Sequence, residues 1–166
     1  MDQAKRPLRD PAGSAEPVTP PGAAPSGNSA LGDRVPSGGV IVFFDGLCGM
    51  CNRWVDVMLR LDRRGRLRFA PLQGATAQAL LPAETLRAAA SLALLDGRGI
   101  ALRSEAAIRA LTHLGGPWRL AGGLRLVPRR ARDAAYDFIA ARRYRWFGRR
   151  AACRVPTPAE QPRFLP

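Results

Sequence analysis

Five apolar residues in a row, Val40-Ile41-Val42-Phe43-Phe44, lead directly into Asp45-Gly46-Leu47-Cys48-Gly49-Met50-Cys51, and the residues after them carry an apolar stripe at helical spacing. A run with no alternation between apolar and polar positions suits a strand covered on both faces, as in the centre of an α/β sheet. The stripe Cys51, Trp54, Val55, Met58, Leu59 follows the i, i+3, i+4, i+7, i+8 pattern of a helix packing on such a sheet, with Arg53, Arg60 and Arg63 on its other faces. Two cysteines are thereby placed where a buried strand hands over to a helix.

That placement selects a chemistry. With a helix opening near Cys48, residues three apart lie about one turn apart on one face, so the two sulfurs can bridge with little strain. Unpaired amides and the macrodipole at the helix start favour a thiolate, which makes Cys48 the expected attacking residue, with a pKa below the free value of about 8.5. Cys51, one turn deeper, is the expected resolving thiol. Asp45 has two readings: a base that takes the proton of the resolving thiol, or a helix cap acting through its side-chain oxygen. Gly46 supplies backbone freedom at the junction. Gly49-Met50 bring no charge between the cysteines, which favours the reducing side of a range of about −270 to −120 mV.

Further along, the chain reads as a short strand over 67–72, a helical segment over 75–81, and a further turn opening at Pro82, since proline is tolerated at a helix start. Strands over 91–95 and 100–103 flank Asp96-Gly97-Arg98-Gly99, a hairpin signal. Ser104 is the expected N-cap of a helix through Leu114, with Ile108, Leu111 and Leu114 inward and Gly115 closing it. A helical extension is expected from Pro117 to Phe147. Its arginines should face water while Tyr136, Phe138 and Ile139 pack on the core.

The arrangement strand, Asp45-x-x-Cys48-x-x-Cys51, helix resembles the DCC family of thiol-disulfide oxidoreductases, named for that Asp, Cys and Cys. The likeness extends to Leu94-Leu95-Asp96-Gly97-Arg98-Gly99, Arg103-Ser104-Glu105-Ala106, Gly115-Gly116-Pro117-Trp118, Pro128, Arg132-Asp133, Tyr136 and Arg143-Tyr144-Arg145-Trp146-Phe147-Gly148. Cys153 and Pro156 are similar to the family's end. The resemblance implies a thioredoxin-like α/β fold, with a glutaredoxin-type β-α-β-α-β-β-α core, and a redox-active dithiol of Cys48 and Cys51 with Asp45 beside it. It implies no cofactor. One departure stands out: thioredoxin-fold oxidoreductases carry a cis-proline before the third strand, and here that stretch is Ala88-Ala89-Ala90-Ser91. Either the substrate groove is built differently or the pair is more open to metal.

The organisation expected is a disordered Pro/Gly-rich tail over 1–38, a thioredoxin-like core over 39–116, the helical extension over 117–150 and a Pro-rich tail over 151–166. The first stretch holds seven of the 15 prolines and shows no periodicity. No apolar stretch follows Met1-Asp2-Gln3-Ala4-Lys5-Arg6, and no run reaches the roughly 18–20 apolar residues of a spanning helix, so a soluble, cytoplasmic protein is expected. In that compartment dithiols are catalytic or metal-binding more often than structural. The partner implied is a disulfide-containing protein or a small thiol, with a separate reducing partner.

Two rival readings remain. Cys48, Cys51, Cys153 and His113 have the chemistry of a four-ligand zinc site. Cys153 has two others open to it, a second resolving thiol or a packed one. The net charge of +13 invites contact with nucleic acid or an anionic membrane surface. Yet Lys5 is the only lysine among 26 basic residues, a profile that GC-rich coding explains at least as well, and nucleic acid is not the favoured partner.

Overall fold

The computed structural model describes residues 39–89 and 91–166. The tail over 1–38 and its expected disorder lie outside the described residues, as does Ala90. The elements are β1 (Val40–Phe44), α1 (Gly49–Leu61), β2 (Leu67–Pro71), α2 (Ala75–Leu80), α3 (Ala83–Ala88), β3 (Leu92–Asp96), β4 (Gly99–Leu102), α4 (Arg103–Leu114), a 3-10 segment (Gly116–Leu126) and α5 (Arg129–Phe147). The strands form one sheet in the order β2-β1-β3-β4. β1 runs parallel to β2 and antiparallel to β3, and β3 is antiparallel to β4. This order and these directions are those of a thioredoxin-like core.

The unbroken apolar run of β1 has a direct cause in the packing. Val40, Val42 and Phe44 point to the layer that holds Cys48, Cys51, Val55 and Met58 of α1 with Ala106 and Ala110 of α4. Ile41 and Phe43 point the other way, to Ala77, Leu81 and Ala89 around α2 and α3. Side chains alternate along a strand, so a strand with a layer on each face needs apolar residues at every position. At the far end of α4, Gly115 takes φ +77°, the left-handed turn that closes the helix as expected.

Ser104 does not cap α4. The helix already begins at Arg103 with Leu102 at the cap position, and the Ser104 hydroxyl donates to Asp133 of α5 instead. The inward face of α5 also differs from expectation. Tyr136 and Ala140 turn to the core, whereas Phe138 is 52% and Ile139 43% exposed. The helix is fastened by hydrogen bonds rather than by a wide apolar stripe. Asp133 meets Ser104, Tyr136 meets Ser91, and Arg143 with Tyr144 meets Asp45. Positions 133, 136, 140, 143 and 144 share one side of a helix, so these contacts set its rotation.

After α5 the chain turns back over the sheet. Phe164 forms a bridge with Phe69, the Leu165 amide donates to the Phe69 carbonyl at 2.8 Å, and the Phe164 ring stands edge-on to Phe44. This segment covers the free edge of β2, which would otherwise present unpaired backbone groups. Arg163 binds buried Asp62, and Arg154 joins Asp56 to Glu160, so the return path is pinned by ion pairs.

Glu105 of α4 ties three elements together, accepting from Arg109 of its own helix, Arg125 of the 3-10 segment and Arg132 of α5. Burial alone would raise its pKa, but hydrogen bonds and charge from Arg125 and Arg109 outweigh it and hold the carboxyl at about 2, below its ordinary 4.5. Because the folded state binds this proton less tightly, the stabilisation is complete above a pH of about 5 and is lost as pH falls toward 2. Thermal melts across that window should fall steeply for the native chain and less steeply for Glu105→Gln; parallel slopes would remove Glu105 from this role.

Candidate active site

Cys48 caps α1 with its own side chain. The backbone amide of Cys51 donates to Cys48 Sγ at 3.4 Å, and the Cys51 thiol points to the Ser91 carbonyl at 3.9 Å. The two cysteines are brought together one helical turn apart, with no disulfide between them. Burial raises the pKa of the Cys51 thiol, and the hydrogen bond to Cys48, the charge of Cys48 and the charge of Asp45 push it the same way. Cys51 is therefore held firmly protonated. The turn before the helix is stapled by buried Asn52, whose amide nitrogen donates to the carbonyls of Gly46 (2.9 Å) and Cys48 (2.8 Å).

Asp45 is not the cap of α1. One carboxylate oxygen accepts the Leu47 amide at 3.1 Å and the Gln73 side chain at 3.0 Å, and the other accepts Arg143 at 3.3 Å and the Tyr144 hydroxyl. Burial works to raise its pKa, yet the hydrogen bonds from Tyr144, Leu47, Gln73 and Arg143 win, and the carboxyl sits below its ordinary range. With both oxygens occupied by four donors, Asp45 anchors the C-terminal helix while the site is in this state. Arg143 and Tyr144 belong to the family likeness in the sequence, but their pairing with Asp45 is hidden there because they lie within an arginine-rich stripe that reads as a solvated face. Their signal was the spacing of Tyr136, Ala140 and Arg143 on one helical side.

Cys48 is fully buried and Cys51 is 6% exposed, so the sulfur expected to lead is the less accessible of the two. The cover is the segment that follows α5. The Gly49 amide donates to the Gly148 carbonyl at 3.2 Å, the Arg150 amide donates to the Leu47 carbonyl at 2.8 Å, and Arg149 lies in a bridge with Cys48. Such pairing is possible because residue 49 lacks a side chain: a Cβ there would stand 2.2 Å from the Phe147 carbonyl oxygen. Gly46 serves the same end, since a Cβ there would meet Cys153 Sγ at 2.8 Å. Its contribution is close approach, where the sequence suggested backbone freedom.

Cys51 faces a separate opening, an apolar pocket of about 210 Å³ lined by Met50, Trp54, Leu92, Tyr136 and Ile139. Ser91 closes the stretch that carries alanines in place of a cis-proline, and its hydroxyl is hydrogen-bonded to Tyr136. α5 thus walls one side of the opening beside Cys51. Burial pushes the Tyr136 hydroxyl up to about 12 against the opposing bond from Ser91, so the hydroxyl stays protonated beside the sulfurs.

The other candidate ligands are not gathered here. His113 pairs with Asp96 at the β3–β4 turn, at 3.0 Å. Cys153 packs against Gly46, with its sulfur 4.0 Å from the Gln73 oxygen. Among the described residues no group of three or more His, Cys, Asp or Glu is arranged to hold a metal ion. Among them, too, no helix is long and apolar enough to cross a membrane.

Residues 42–149 match the family described as DCC1-like thiol-disulfide oxidoreductase. The chain is 40% identical over 129 residues to the uncharacterized protein YuxK of Bacillus subtilis, covering 76% of this chain and 93% of that one. It is 32% identical over 122 residues to a chloroplastic DCC family protein of Arabidopsis thaliana, covering 69% of each. None of the solved structures matches at a significant level.

Gly49→Ala should force the Phe147–Arg149 segment away from the helix start. Iodoacetamide labelling followed by peptide mass spectrometry should then show Cys48 modified at least about tenfold faster, since its protection rests on two backbone hydrogen bonds of ~1 kcal/mol each. An unchanged rate would mean that another element shields this sulfur.

Proposed function

The chain belongs to the DCC1-like thiol-disulfide oxidoreductase family, and on that premise we propose that Cys48 and Cys51 are its redox pair, reducing disulfides in a protein or small-molecule substrate. The observation that carries this reading is the asymmetry of the pair. A helix-start amide is aimed at Cys48 Sγ, while Cys51 is kept as a thiol by burial and by its neighbour. Cys48 is thus the nucleophile and Cys51 the reserve.

The exchange proceeds in two balanced steps. The Cys48 thiolate attacks one sulfur of the substrate disulfide, a Cys48–substrate bond forms, and the other substrate sulfur leaves as a thiolate that takes a proton from water. Cys51 then loses its proton, attacks Cys48 Sγ and expels the second substrate thiol, leaving Cys48 and Cys51 joined and the substrate reduced by two electrons. A separate dithiol donor restores the pair.

Substrate reaches Cys48 only when the segment over 147–150 is lifted. Its two backbone hydrogen bonds at Leu47 and Gly49 are worth about 1 kcal/mol each, a barrier that thermal opening crosses readily. Arg143 and Tyr144 stand immediately before this segment, so its displacement loosens their hold on Asp45. Burial then acts on that carboxylate with less opposition, and its pKa climbs toward that of a proton acceptor. Asp45 in this scheme is silent in the closed state and takes the Cys51 proton in the open one.

Cys48→Ser should abolish turnover of insulin or a small aromatic disulfide, and Cys51→Ser should accumulate a mixed disulfide visible by intact mass. Full activity in both variants would overturn the mechanism. Asp45→Asn should slow release from the mixed disulfide several-fold while leaving its formation equal or faster, followed by stopped flow. Equal slowing of the two steps would reduce Asp45 to an anchor.

A further inference from the structure

A second concavity lies at the opposite end of the sheet from the dithiol. The register pairs Phe44 with Leu92 near the cysteines, whereas the starts of β1 and β2 and the end of β3 meet at the other pole. There a basin of about 450 Å³ is walled by Arg64 and Arg66 before β2, Arg98 in the hairpin turn, His113 at the end of α4, and Arg119 and Arg125 of the 3-10 segment. Its volume falls within the roughly 300–1,000 Å³ of small-ligand sites.

Charge compensation in this wall is incomplete. Arg98 pairs with Asp96 at 3.3 Å and Arg125 with Glu105 at 2.8 Å. Arg66 donates to the His113 carbonyl at 3.4 Å, a neutral acceptor. Among the described residues, Arg64, Arg66 and Arg119 make no ion pair, so three arginines line one hollow without an anionic partner there. Arginines on the convex side of α5 spread into water and repel one another weakly. In a concave wall the same charges reinforce each other and create a positive potential that an anion relieves.

From this we infer that the basin is a binding site for a small anion bearing two or three charges on phosphate groups, of the pyrophosphate or sugar-bisphosphate type. A guanidinium fork matches phosphate oxygens with paired hydrogen bonds, and three uncompensated forks match the charge of such an ion. Among the described residues His113 is the only ring in the wall, so nothing there stacks a nucleobase, and phosphate is the group the wall grips. The site is independent of the thiol chemistry and stands whether or not the cysteines turn over.

Isothermal titration of the full chain with inorganic pyrophosphate tests this at about 0.15 M salt, where surface attraction is screened beyond about 8 Å. One saturable site is expected. Arg64→Ala and Arg119→Ala should each weaken it about tenfold, the loss of one charge-assisted contact. Arg130→Ala, exposed on α5 outside the basin, should bind as the native chain does. No saturable heat up to millimolar pyrophosphate would overturn the assignment, and so would an Arg130→Ala loss equal to that of Arg64→Ala, which would mark a diffuse charge effect.

Discussion

A carboxylate buried at the end of the central strand must be satisfied, and everything around the dithiol follows from how this is done. Asp45 is 3% exposed. An uncompensated charge at that depth costs several kcal/mol, and removing one partner of a buried pair typically costs about 3–5 kcal/mol. Its own loop supplies the Leu47 amide and β2's exit supplies Gln73, but the cation and the hydroxyl come from Arg143 and Tyr144, about a hundred residues on. Folding α5 against the core is thus coupled to neutralising the residue next to the cysteines. The cover over Cys48 is a direct continuation of that helix, so electrostatics at Asp45 and access to sulfur are two readings of one contact.

The core was legible in the sequence because its elements announce themselves locally. The five-residue apolar run, the helical stripe from Cys51 to Leu59 and the Asp96-Gly97-Arg98-Gly99 turn each encode an element within a dozen residues, and they fold as read. The setting of the site was less legible because it is built from distant partners. Tyr136 finds Ser91, and Tyr144 finds Asp45, across separations of 45 and 99 residues. No local pattern encodes such pairs, and a polar inward stripe looks like a solvated one. Phe138 and Ile139 look inward in the sequence for the same reason: apolar character suggests one orientation where hydrogen bonding sets another.

The arginine excess divides by role once partners are visible. Arg109, Arg132, Arg143, Arg154 and Arg163 are largely buried and hold helices and the C-terminal return to the core. Others on α5 lie in water or over rings, as Arg142 does above Phe138. A single net charge therefore conceals three populations: braces, solvated residues, and the group of the distal basin. The fold decides which of these each arginine becomes.

The order of the elements along the chain also bears on biosynthesis. Cys48 precedes by about a hundred residues the segment that shields it. At a translation rate of ~5–20 residues per second, that gap corresponds to on the order of ten seconds in which the nascent polypeptide carries the Cys48 sulfur without this cover. During this interval Cys48 is open to oxidants and to stray thiols. Final docking of the last helix therefore also ends a period of chemical vulnerability on the ribosome.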